Sequence, residues 1–560
     1  MFADDEAPER SAPLPVPEPS CVGSGCGRWS SPTGVVQLRR LSQLLFLGLF
    51  VYLFLCASQS GLRHAFLPVD LFLRADPLIA LMTMLGARVG MAHMVLPSLL
   101  VVLVTLFLGR VFCGWVCPLG TVIDLFDRLF LRGKKQARAE RRSDTRRYRN
   151  LKYYFLLAAF VAAAGGLQCT YVFDPLSLLT RTFTCCVLTP TQLGWNALLG
   201  LLGGSQGFRF NVDFDALRVT QFYFRQTAVV FLMVAGILAL SSYQERFWCR
   251  NLCPLGGLLA LFSRVSFLRH RIASGCTHCT RCELGSRMGA YENTSKKAEE
   301  PFSHQLSECV HCYRCAAVCP EGVIEVAQCG PAKRAGCLPQ EPVALSRRRA
   351  LGAAALGVGW LATNKVSGAP KYQSDRCIRP PGALPETEFL QACTRCGECM
   401  RVCPTNALQP ALGEAGLEGW MTPVLVPKIG PCVEQCTLCG QVCPTDALRR
   451  FTVKQKREDL KLGLAVVNQN TCIAYNGGRD CIVCAEVCSY SAVLFKDIRD
   501  DALGRKKRVP TVDEKLCIGC GICEKECPVI PEHAIVVRTL RENRSYNAPK
   551  PSLWGGFTRR

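Results

Sequence analysis

Four groups of closely spaced cysteines dominate the C-terminal third of the chain. Each group ends with a cysteine four positions after the third one, and in three groups a proline follows directly. Thiolates on a tight loop reach different irons of one cubane cluster, whereas a tetrahedral zinc site normally takes cysteines in pairs. The groups are Cys393, Cys396, Cys399 and Cys403; Cys432, Cys436, Cys439 and Cys443; Cys472, Cys481, Cys484 and Cys488; and Cys517, Cys520, Cys523 and Cys527. The pattern predicts four [4Fe–4S] clusters.

Neighbouring groups are expected to exchange their fourth cysteines. In bacterial two-cluster ferredoxins, three cysteines of one run bind a cluster and the fourth crosses to the other cluster. Set A is then Cys393, Cys396 and Cys399 with Cys443, and set B is Cys432, Cys436 and Cys439 with Cys403. Set C is Cys517, Cys520 and Cys523 with Cys488, and set D is Cys472, Cys481 and Cys484 with Cys527. Iron is the expected metal of all four sets.

The composition argues against a disulfide-stapled fold and against a nucleic-acid partner. A disulfide framework belongs to small secreted domains, whereas this chain has 560 residues and 36 cysteines that mostly repeat the same short spacings. The formal charge of +22 does not indicate nucleic acid, because much of the excess lies beside hydrophobic stretches in the N-terminal half.

Four apolar stretches of the N-terminal half approach the roughly 20 residues needed to cross a bilayer. They are Leu41 to Ala57, His93 to Leu108, Lys152 to Gln168, and Gln226 to Ser242. They are apolar all round and bounded by charge, which favours membrane spans over buried soluble helices. The basic segment from Arg128 to Arg149 predicts that the second loop is cytoplasmic, and Arg39 and Arg40 agree. We therefore expect a four-helix transmembrane bundle whose two hairpin loops face outward.

The two hairpins look like copies of one another. Asp76-Pro-Leu precedes the second span as Asp174-Pro-Leu precedes the fourth, and both copies close on a C-x3-C-P-L-G motif. The motifs contain Cys113 and Cys117 in the first copy and Cys249 and Cys253 in the second. These four thiols are candidates for a shared metal or cluster site, or for two redox-active dithiols. The alternative is that small buried cysteines only pack well at helix ends.

A further ferredoxin pattern follows the last span. Set E is Cys276, Cys279 and Cys282, with Cys319 as the crossing ligand, and set F is Cys309, Cys312 and Cys315. The crossing ligand of set F would stand at position 286, where the chain has Ser286. Three explanations are open. The first is that the cluster of set F has three irons, the second is that its fourth iron is bound by the serine oxygen or by solvent, and the third is that Cys329 or Cys337 is the fourth ligand. This segment therefore predicts one or two clusters.

An arginine-rich segment, Ser346 to Arg349, precedes a short Gly/Ala-rich apolar stretch that ends at Thr363. It resembles a twin-arginine export signal placed internally, although a fifth span or a linker helix would have the same composition. If it is an export signal, everything beyond Lys365 lies outside. The expected domains are a disordered cytoplasmic tail (1–38), a four-span membrane domain (39–270), a cytoplasmic ferredoxin-type domain (271–335), a linker with the signal or fifth span (336–370), a four-cluster domain that is expected in the periplasm (371–540), and a tail (541–560).

Both halves resemble known families. The segment from Leu41 to Cys319, with its two C-x3-C-P pairs, resembles the NapH-type membrane quinol dehydrogenase subunit of periplasmic nitrate reduction. Arg379-Pro-Pro-Gly-Ala-Leu-Pro-Glu386, together with the four cysteine runs, resembles the NapG/MauM-type periplasmic ferredoxin. The resemblance implies a natural fusion of two partner subunits, with small α+β two-cluster ferredoxin modules beside the membrane bundle. MauM and the NapH-like MauN proteins are linked instead with methylamine dehydrogenase systems.

Other cofactors find little support in the sequence. There is no C-x-x-C-H motif for attached haem, no paired histidines in the spans for a b-type haem, and no strand-G-x-G-x-x-G-helix unit for a dinucleotide. His93, alone at a helix start, is a weak candidate for a quinone ligand, and the repeated Asp76 and Asp174 are somewhat better ones.

The expected function is electron transfer from membrane quinol through the clusters to a periplasmic acceptor, as the resemblance implies. The acceptor would be a c-type cytochrome or a reductase, and the chain would lie in the bacterial inner membrane as a multi-pass protein. The chain would then be the electron-transfer component of a quinol dehydrogenase. The alternative is a maturation factor that supplies electrons for metalloenzyme assembly or metal reduction through its C-x3-C-P thiols. The terminal acceptor, the direction of electron flow and the oligomeric state are not encoded in these motifs.

Overall fold

The computed structural model describes residues 32–58, 61–88, 90–131, 148–168, 172–204, 218–272, 276–277, 279–292, 303–328, 345–366, 374–476, 480–500 and 505–544. These residues belong to two compact units. The first contains the described parts of 1–43, 104–116 and 259–344, and the second contains those of 44–103, 117–258 and 345–560. Among the described residues, one helix, Thr33–Cys56, is long and apolar enough by itself to cross a membrane, and five further apolar helices have 10 to 17 residues.

The N-terminal half is helical, and its two copies share several elements. Its first copy contains α1 (Pro32–Cys56), α2 (Gly61–His64), α3 (Leu71–Arg74), α4 (Pro77–Ala87), α5 (Ala92–Leu108) and α6 (Pro118–Phe130). Its second copy contains α7 (Leu151–Ala164), α8 (Pro175–Thr182), α9 (Leu188–Gly204), α10 (Thr227–Tyr243) and α11 (Pro254–Ser263). Each copy contains a short helix, α4 or α8, and later a long apolar helix, α5 or α10. A π-helical turn then connects the long helix to a helix that begins at a proline, α6 or α11. The π-helical turns are Phe112–Val116 and Trp248–Leu252, with a third at Phe183–Val187.

The repeated Asp-Pro-Leu motif starts the short helix of each copy. The Asp76 carboxylate accepts hydrogen bonds from the backbone N–H groups of Leu78 (2.8 Å) and Ile79 (3.3 Å), and Asp174 accepts one from Ser177 (2.7 Å). A side-chain acceptor at this position satisfies N–H groups that have no partner within the helix, and proline is well tolerated at the first helical residue. The sequence predicted the repeat from this motif, and the structure gives the motif a capping role in both copies.

The two copies are held together in the second unit by a buried ion pair. The Nε and Nη2 atoms of Arg246 donate to the two carboxylate oxygens of Asp124 at 2.7 Å and 2.9 Å, and Nη2 also donates to the Gly120 carbonyl at 3.3 Å. Both side chains are almost fully buried. Because the pairing is bidentate, it fixes the orientation as well as the distance of α6 relative to the turn after α10.

The segment with the arginine-rich start is a helix, α14 (Arg347–Val366), that packs along α7 in the same direction. The backbone N–H of Ser346 donates to the Tyr154 hydroxyl at 3.0 Å, near the start of both helices. Further along, a Cβ on Gly357 would lie 2.8 Å from the Ala158 carbonyl oxygen, so glycine permits the close approach. Small residues at a helix interface are typical of packed membrane helices.

The smaller ferredoxin domain lies in the first unit. Strand β1 (Leu268–Ile272) pairs antiparallel with β4 (Ile324–Gln328), and β2 (Tyr291–Glu292) pairs with β3 (Ser303–His304). Two short helices, α12 (Arg281–Gly285) and α13 (Arg314–Val318), lie between the strands in chain order. The domain is anchored to the end of α5, because the buried Arg110 donates to the Ser307 carbonyl at 2.8 Å and pairs with Glu308 at 3.5 Å.

The C-terminal domain consists of short helices and two-stranded sheets. Its helices are α15 (Glu386–Ala392), α16 (Glu398–Val402), α17 (Leu438–Gln441), α18 (Val453–Glu458), α19 (Ile473–Asn476), α20 (Val483–Glu486) and α21 (Ile522–Lys525). Its strands are β5 (Leu408–Pro410), β6 (Pro423–Leu425), β7 (Leu464–Val467), β8 (Val493–Asp500), β9 (Arg505–Val512) and β10 (Ile535–Arg538). Strand β5 pairs with β6, β7 with β10 and β8 with β9, all antiparallel.

The Arg379-to-Glu386 motif closes the start of this domain. Arg379 is almost fully buried and forms a bidentate pair with Glu386, with donor–acceptor distances of 3.1 Å and 2.6 Å. Its remaining nitrogen donates to the Thr422 hydroxyl at 2.8 Å and to the Pro423 carbonyl at 3.1 Å. Arg544, near the end of the described chain, also donates to Glu386 at 2.6 Å. One carboxylate thus joins the first and last segments of the domain.

Several predicted boundaries differ from the observed ones. Helix α1 begins at Pro32, so residues 32–38, which were expected in a disordered tail, are helical, and Val35 and Val36 on this segment are buried. The C-terminal domain extends past residue 540, because Asn543 pairs with Lys461 and Arg544 with Glu386. The rest of the N-terminal tail, Cys329, Cys337 and residues 545–560 lie outside the described residues.

Candidate iron–sulfur cluster sites

The four cysteines of set E line a single cavity in the smaller ferredoxin domain. The cavity is lined by Cys276, Cys279, Cys282 and the crossing Cys319. Ile272 and Ile324 also line it. Cys319 ends α13 with φ −73° and ψ 119°, an extended backbone conformation. The structure therefore brings together the four residues that the crossing rule assigned to set E.

The three cysteines of set F line a second cavity, with Ser286 in the wall. Ser286 ends α12 with φ −75° and ψ 106°, close to the values of Cys319 at the end of α13. Its Oγ accepts a hydrogen bond from the Ala290 backbone N–H at 2.9 Å. Cys488 in the C-terminal domain accepts the same type of bond, from Ala492 at 3.3 Å. Serine thus occupies the backbone position of a fourth cysteine ligand.

Three buried histidines surround set F, and no motif of the sequence pointed to them. Burial holds the pKa of His270 well below its usual range, and it lowers the pKa of His304 to about 3 and that of His311 to about 4. His270 lies on β1, six residues before Cys276, and the alternation of that strand was the signal that could have identified it.

In the C-terminal domain, each predicted ligand set is a group of neighbouring thiols. Every set contains a thiol whose pKa is raised by burial and raised further by the charges of the other three thiols of the same set. This holds for Cys399 in set A, Cys439 in set B, Cys523 in set C and Cys484 in set D. The thiols of set D also line one cavity together with Val467, Ile473 and Ile535.

Contacts between the sets define a linear order A–B–C–D. Cys399 of set A lies near Cys439 of set B, and Cys523 of set C lies near Cys484 of set D. Sets B and C are joined more directly, since the Cys432 backbone N–H donates to the Cys520 carbonyl at 2.8 Å. The four sets thus follow one another through the domain in the order A–B–C–D.

The donor sets fit iron–sulfur clusters on chemical grounds. A buried thiol is costly to ionise, and burial raises the pKa of Cys443 and of Cys520 to about 12. Bound iron supplies the positive charge that makes such thiols into thiolates. Set B has an additional cation, the buried Lys456, whose Nζ donates to the Val433 and Cys436 carbonyls.

The loop of set A contacts the helices of the second unit. Arg395 donates to the Gln168 carbonyl at 2.6 Å, and the Arg401 guanidinium lies 4.9 Å from the ring centroid of Phe54 at the end of α1. His93 at the start of α5 contacts the Pro444 carbonyl at 2.9 Å, directly after Cys443. On the second repeat, the Asn406 and Gln409 side chains both donate to the Tyr223 carbonyl.

The two C-x3-C-P motifs have the same local structure. Cys117 and Cys253 both follow a π-helical turn, have ψ of 115° and 113°, and precede a helix that begins at proline. Both are buried, whereas Cys113 and Cys249 are half-buried. The Cys253 sulfur accepts a hydrogen bond from the Gly256 backbone N–H at 3.3 Å. The equivalence predicted from the sequence thus extends to the backbone, and the role of the four thiols stays a prediction.

The weak quinone candidates have other partners. Asp76 and Asp174 are fully buried helix caps, and they lie next to each other. Burial, reinforced by the Asp174 carboxyl, raises the pKa of Asp76 well above its usual range. Two adjacent buried carboxyls do not readily carry two charges, so the pair favours a shared proton. His93 contacts Pro444 and Asp446 of the C-terminal domain.

The repeated cysteine sets within small two-stranded domains define a polyferredoxin, a protein that carries several [4Fe–4S] clusters for electron transfer. Family models agree. A model described as a 4Fe-4S binding domain matches residues 91–138 and 226–273, which contain the two C-x3-C-P motifs. A 4Fe-4S dicluster domain matches 392–447, and two further 4Fe-4S binding domains match 304–325 and 509–535.

Curated relatives make the family specific. The chain is 40% identical over 215 residues to the methylamine utilization ferredoxin-type protein MauM of Methylorubrum extorquens, covering 35% of this chain and 90% of MauM. It is 38% identical over 202 residues to the ferredoxin-type protein NapG of Escherichia coli, covering 35% of this chain and 86% of NapG. The chain belongs to the NapG/MauM family of ferredoxin-type proteins.

A further relative matches more of the chain. The methylamine utilization ferredoxin-type protein MauN of Methylorubrum extorquens is 28% identical over 256 residues, which cover 44% of this chain and 72% of MauN. No solved structure matches the chain.

Proposed function

We propose that this polyferredoxin transfers electrons from a membrane quinol to an acceptor outside the cytoplasmic membrane. The observation that carries the proposal is the order of the four sets in the C-terminal domain. Set A lies against the apolar helices of the second unit, and set D lies at the other end of the relay. There Ile482, next to Cys481, and Ile530, near Cys527, are exposed at 44% and 82%. Exposed apolar residues beside a terminal cluster suit transient contact with a redox partner.

The helices of the N-terminal half would form the membrane part. Only Thr33–Cys56 satisfies length and hydropathy criteria by itself among the described residues, and α5, α7 and α10 are shorter apolar helices of 14 to 17 residues. Their exposed surfaces carry large apolar residues such as Leu100, Phe160 and Leu232, which lipid would cover. The proposed bundle is thus the two repeated hairpins, with α14 as a fifth helix packed on α7.

The packing of α14 supports an outer location of the C-terminal domain. The basic segment before α7 predicts a cytoplasmic start for that helix. Because α14 runs parallel to α7, from Ser346 near Tyr154 to Leu361 near Gly165, both helices would cross in the same direction. The domain that begins at residue 374 would then emerge on the outer side. A reporter fused after residue 560 tests this: activity only in the cytoplasm contradicts the topology.

The relatives are consistent with electron transfer in such a setting. NapG, MauM and MauN are all named as ferredoxin-type proteins, and the latter two as methylamine utilization proteins. We propose that this chain combines a quinol-oxidising membrane part with a NapG/MauM-like domain. Its acceptor would be a c-type cytochrome or a reductase, and its location the bacterial inner membrane.

The decisive experiment follows electrons along the relay. The full chain, purified in lipid nanodiscs, is mixed anaerobically with a reduced naphthoquinone, and cluster reduction is followed by electron paramagnetic resonance. A c-type cytochrome then serves as the acceptor. In Cys520→Ala, which removes a ligand of set C, we expect that sets A and B are still reduced and that cytochrome reduction is lost.

The matched control is Cys377→Ala, which changes a fully buried cysteine of the same domain outside all six ligand sets. It should retain both reactions. If the naphthoquinol reduces no cluster in the unmodified chain, quinol is not the donor. If Cys520→Ala reduces cytochrome at the unmodified rate, the order A–B–C–D is not the electron path.

A further inference from the structure

Strand β1 gives the two cluster cavities of the smaller ferredoxin domain different walls. Ile272 lines the cavity of set E, and His270, two positions earlier, lines that of set F. Residues two apart on a strand point to the same face of the sheet, so both side chains lie on the face of β1 that lines the two cavities. Ile324 also lines the cavity of set E, whereas Tyr291 lines the cavity of set F. Among the side chains of β1 that the structure describes, the nitrogen-bearing one that lines a cluster cavity, His270, belongs to set F.

The His270 ring is fixed on three sides. Its Nδ1 lies 2.9 Å from the Tyr291 hydroxyl oxygen, and its face stacks on the His304 ring at a centroid distance of 4.6 Å and an angle of 25°. Its Nε2 lies 3.7 Å from the Cys309 sulfur, which is within hydrogen-bond range for this larger atom. The side chain is 1% exposed, so no bulk water competes for these contacts.

Both ring nitrogens of His270 lie near a sulfur of set F. Nε2 is 3.7 Å from the Cys309 sulfur, and Nδ1 is 3.8 Å from the Cys315 sulfur. An imidazole always carries a proton on at least one of its nitrogens. In either tautomer, His270 therefore presents an N–H group to a thiolate of set F. We propose that His270 donates a hydrogen bond to a cysteine thiolate of set F, Cys309 or Cys315, and thereby makes the cluster of set F easier to reduce.

The physical reason is the charge that reduction adds. A donor to a cluster sulfur stabilises the more negative, reduced state more than the oxidised state, and such hydrogen bonds are among the determinants of cluster potentials. His270 is thus a positioning residue for set F with an electrochemical effect. The inference rests on the clusters themselves and does not depend on the quinol reaction proposed above.

Ligation of iron by His270 is the alternative that the geometry disfavours. Two ligands bound to different irons of one cluster are separated by an iron–iron edge and two metal–ligand bonds, and 3.7 Å between Nε2 and Sγ leaves no room for this. Ser286 already has the backbone conformation of a fourth ligand. His270, His304 and Cys309 are also close enough to hold one metal ion, which would be incompatible with a cluster at set F.

The test is a redox titration of the full chain reduced with dithionite and followed by electron paramagnetic resonance. In His270→Phe, we expect the ratio of reduced to oxidised set F cluster at a fixed potential to fall roughly tenfold, which is about 59 mV for one electron. His270→Gln, which restores an N–H donor, should recover part of the shift. The potential of set E should not change in either variant. An unchanged set F potential in His270→Phe overturns the proposal.

A second measurement remains decisive if the phenylalanine variant does not fold. The unmodified chain is labelled with ¹⁵N-histidine, and the nitrogen hyperfine coupling of the set F cluster is recorded. A weak coupling that is lost in His270→Gln supports a hydrogen bond from the His270 ring to a set F sulfur. A strong coupling typical of iron-bound nitrogen overturns the proposal, as does zinc in place of a set F cluster in metal analysis.

Discussion

Replacing Glu386 by glutamine removes the charge that the buried Arg379 is paired with. Glu386 accepts two hydrogen bonds from Arg379 and one from Arg544, and the Arg379 side chain is only 1% exposed. Breaking a buried pair from one side costs about 3–5 kcal/mol, because the other charge stays buried without compensation. The Thr422 hydroxyl and Pro423 carbonyl remain as partners of Arg379, so we expect the lower part of that range, about 3 kcal/mol.

The assay is urea unfolding of the full chain with its clusters loaded, followed by cluster absorbance under anaerobic conditions. With a denaturant slope of about 3 kcal/mol per molar, the midpoint of Glu386→Gln should fall by about 1 M. The matched control is Asp375→Asn, which breaks the exposed Arg538–Asp375 pair of the same domain and should cost less than about 1 kcal/mol. Equal midpoints for the two variants would refute the role assigned to Arg379.

The same pair predicts a pH dependence. Burial alone would raise the pKa of Glu386, but hydrogen bonds and charge from Arg379 and Arg544 hold it below its usual range. A depressed carboxyl pKa contributes stability above the unfolded-state value, and this contribution is lost as pH falls through the folded-state value. The difference between the unmodified chain and Glu386→Gln should therefore shrink in acid.

Three other outcomes are expected. Burial and the Asp174 carboxyl raise the pKa of Asp76. The stability that protonated Asp76 contributes is therefore lost as pH rises above the ordinary carboxyl range. Asp76→Asn should flatten this decline of the melting temperature with rising pH. Gly519→Ala should destabilise the C-terminal domain by about 1–3 kcal/mol in the urea assay, since φ is +78° and the added Cβ would lie 2.6 Å from Gly463. Adding iron and sulfide to the cluster-free chain should release more protons in a pH-stat than the sulfide alone gives up on entering a cluster, because burial raises the pKa of thiols such as Cys443; a release no larger than that of the sulfide would show that the thiols are already ionised.

The grouping of the cysteines could be predicted from the sequence because the spacing of a cysteine run is local, and their role as iron ligands stays a prediction. The crossing rule then specified Cys319 and Cys443 as partners of distant runs, and the structure places them beside those runs. Hydropathy identified long apolar helices of the N-terminal half. Their observed ends differ from the predicted ends by up to nine residues; the largest difference is at the start of α1, which is Pro32 rather than Leu41. Hydropathy missed α4 and α8, because an 11-residue and an 8-residue helix are too short for a spanning window, and it also missed the 17-residue α9.

Features that depend on tertiary contact were not predictable. His270 is six residues from Cys276 in sequence, yet its ring faces set F rather than set E. The capping role of Asp76 and Asp174 follows from a local motif and could have been stated in advance. The contact of Arg395 with Gln168 joins segments 227 residues apart, and no spacing rule reports it.

The exchange of fourth cysteines between neighbouring runs restricts how a chain of this kind can change in length. Set A takes Cys443 from the run that provides most of set B, and set B takes Cys403 in return, so neither cluster is complete without both segments. A gene that lost or gained a single run would leave one cluster with three ligands. Deletions and duplications that preserve complete sites must therefore involve two runs at a time. Set F, with serine at position 286, shows an altered ligand position in a pair whose two runs were both retained.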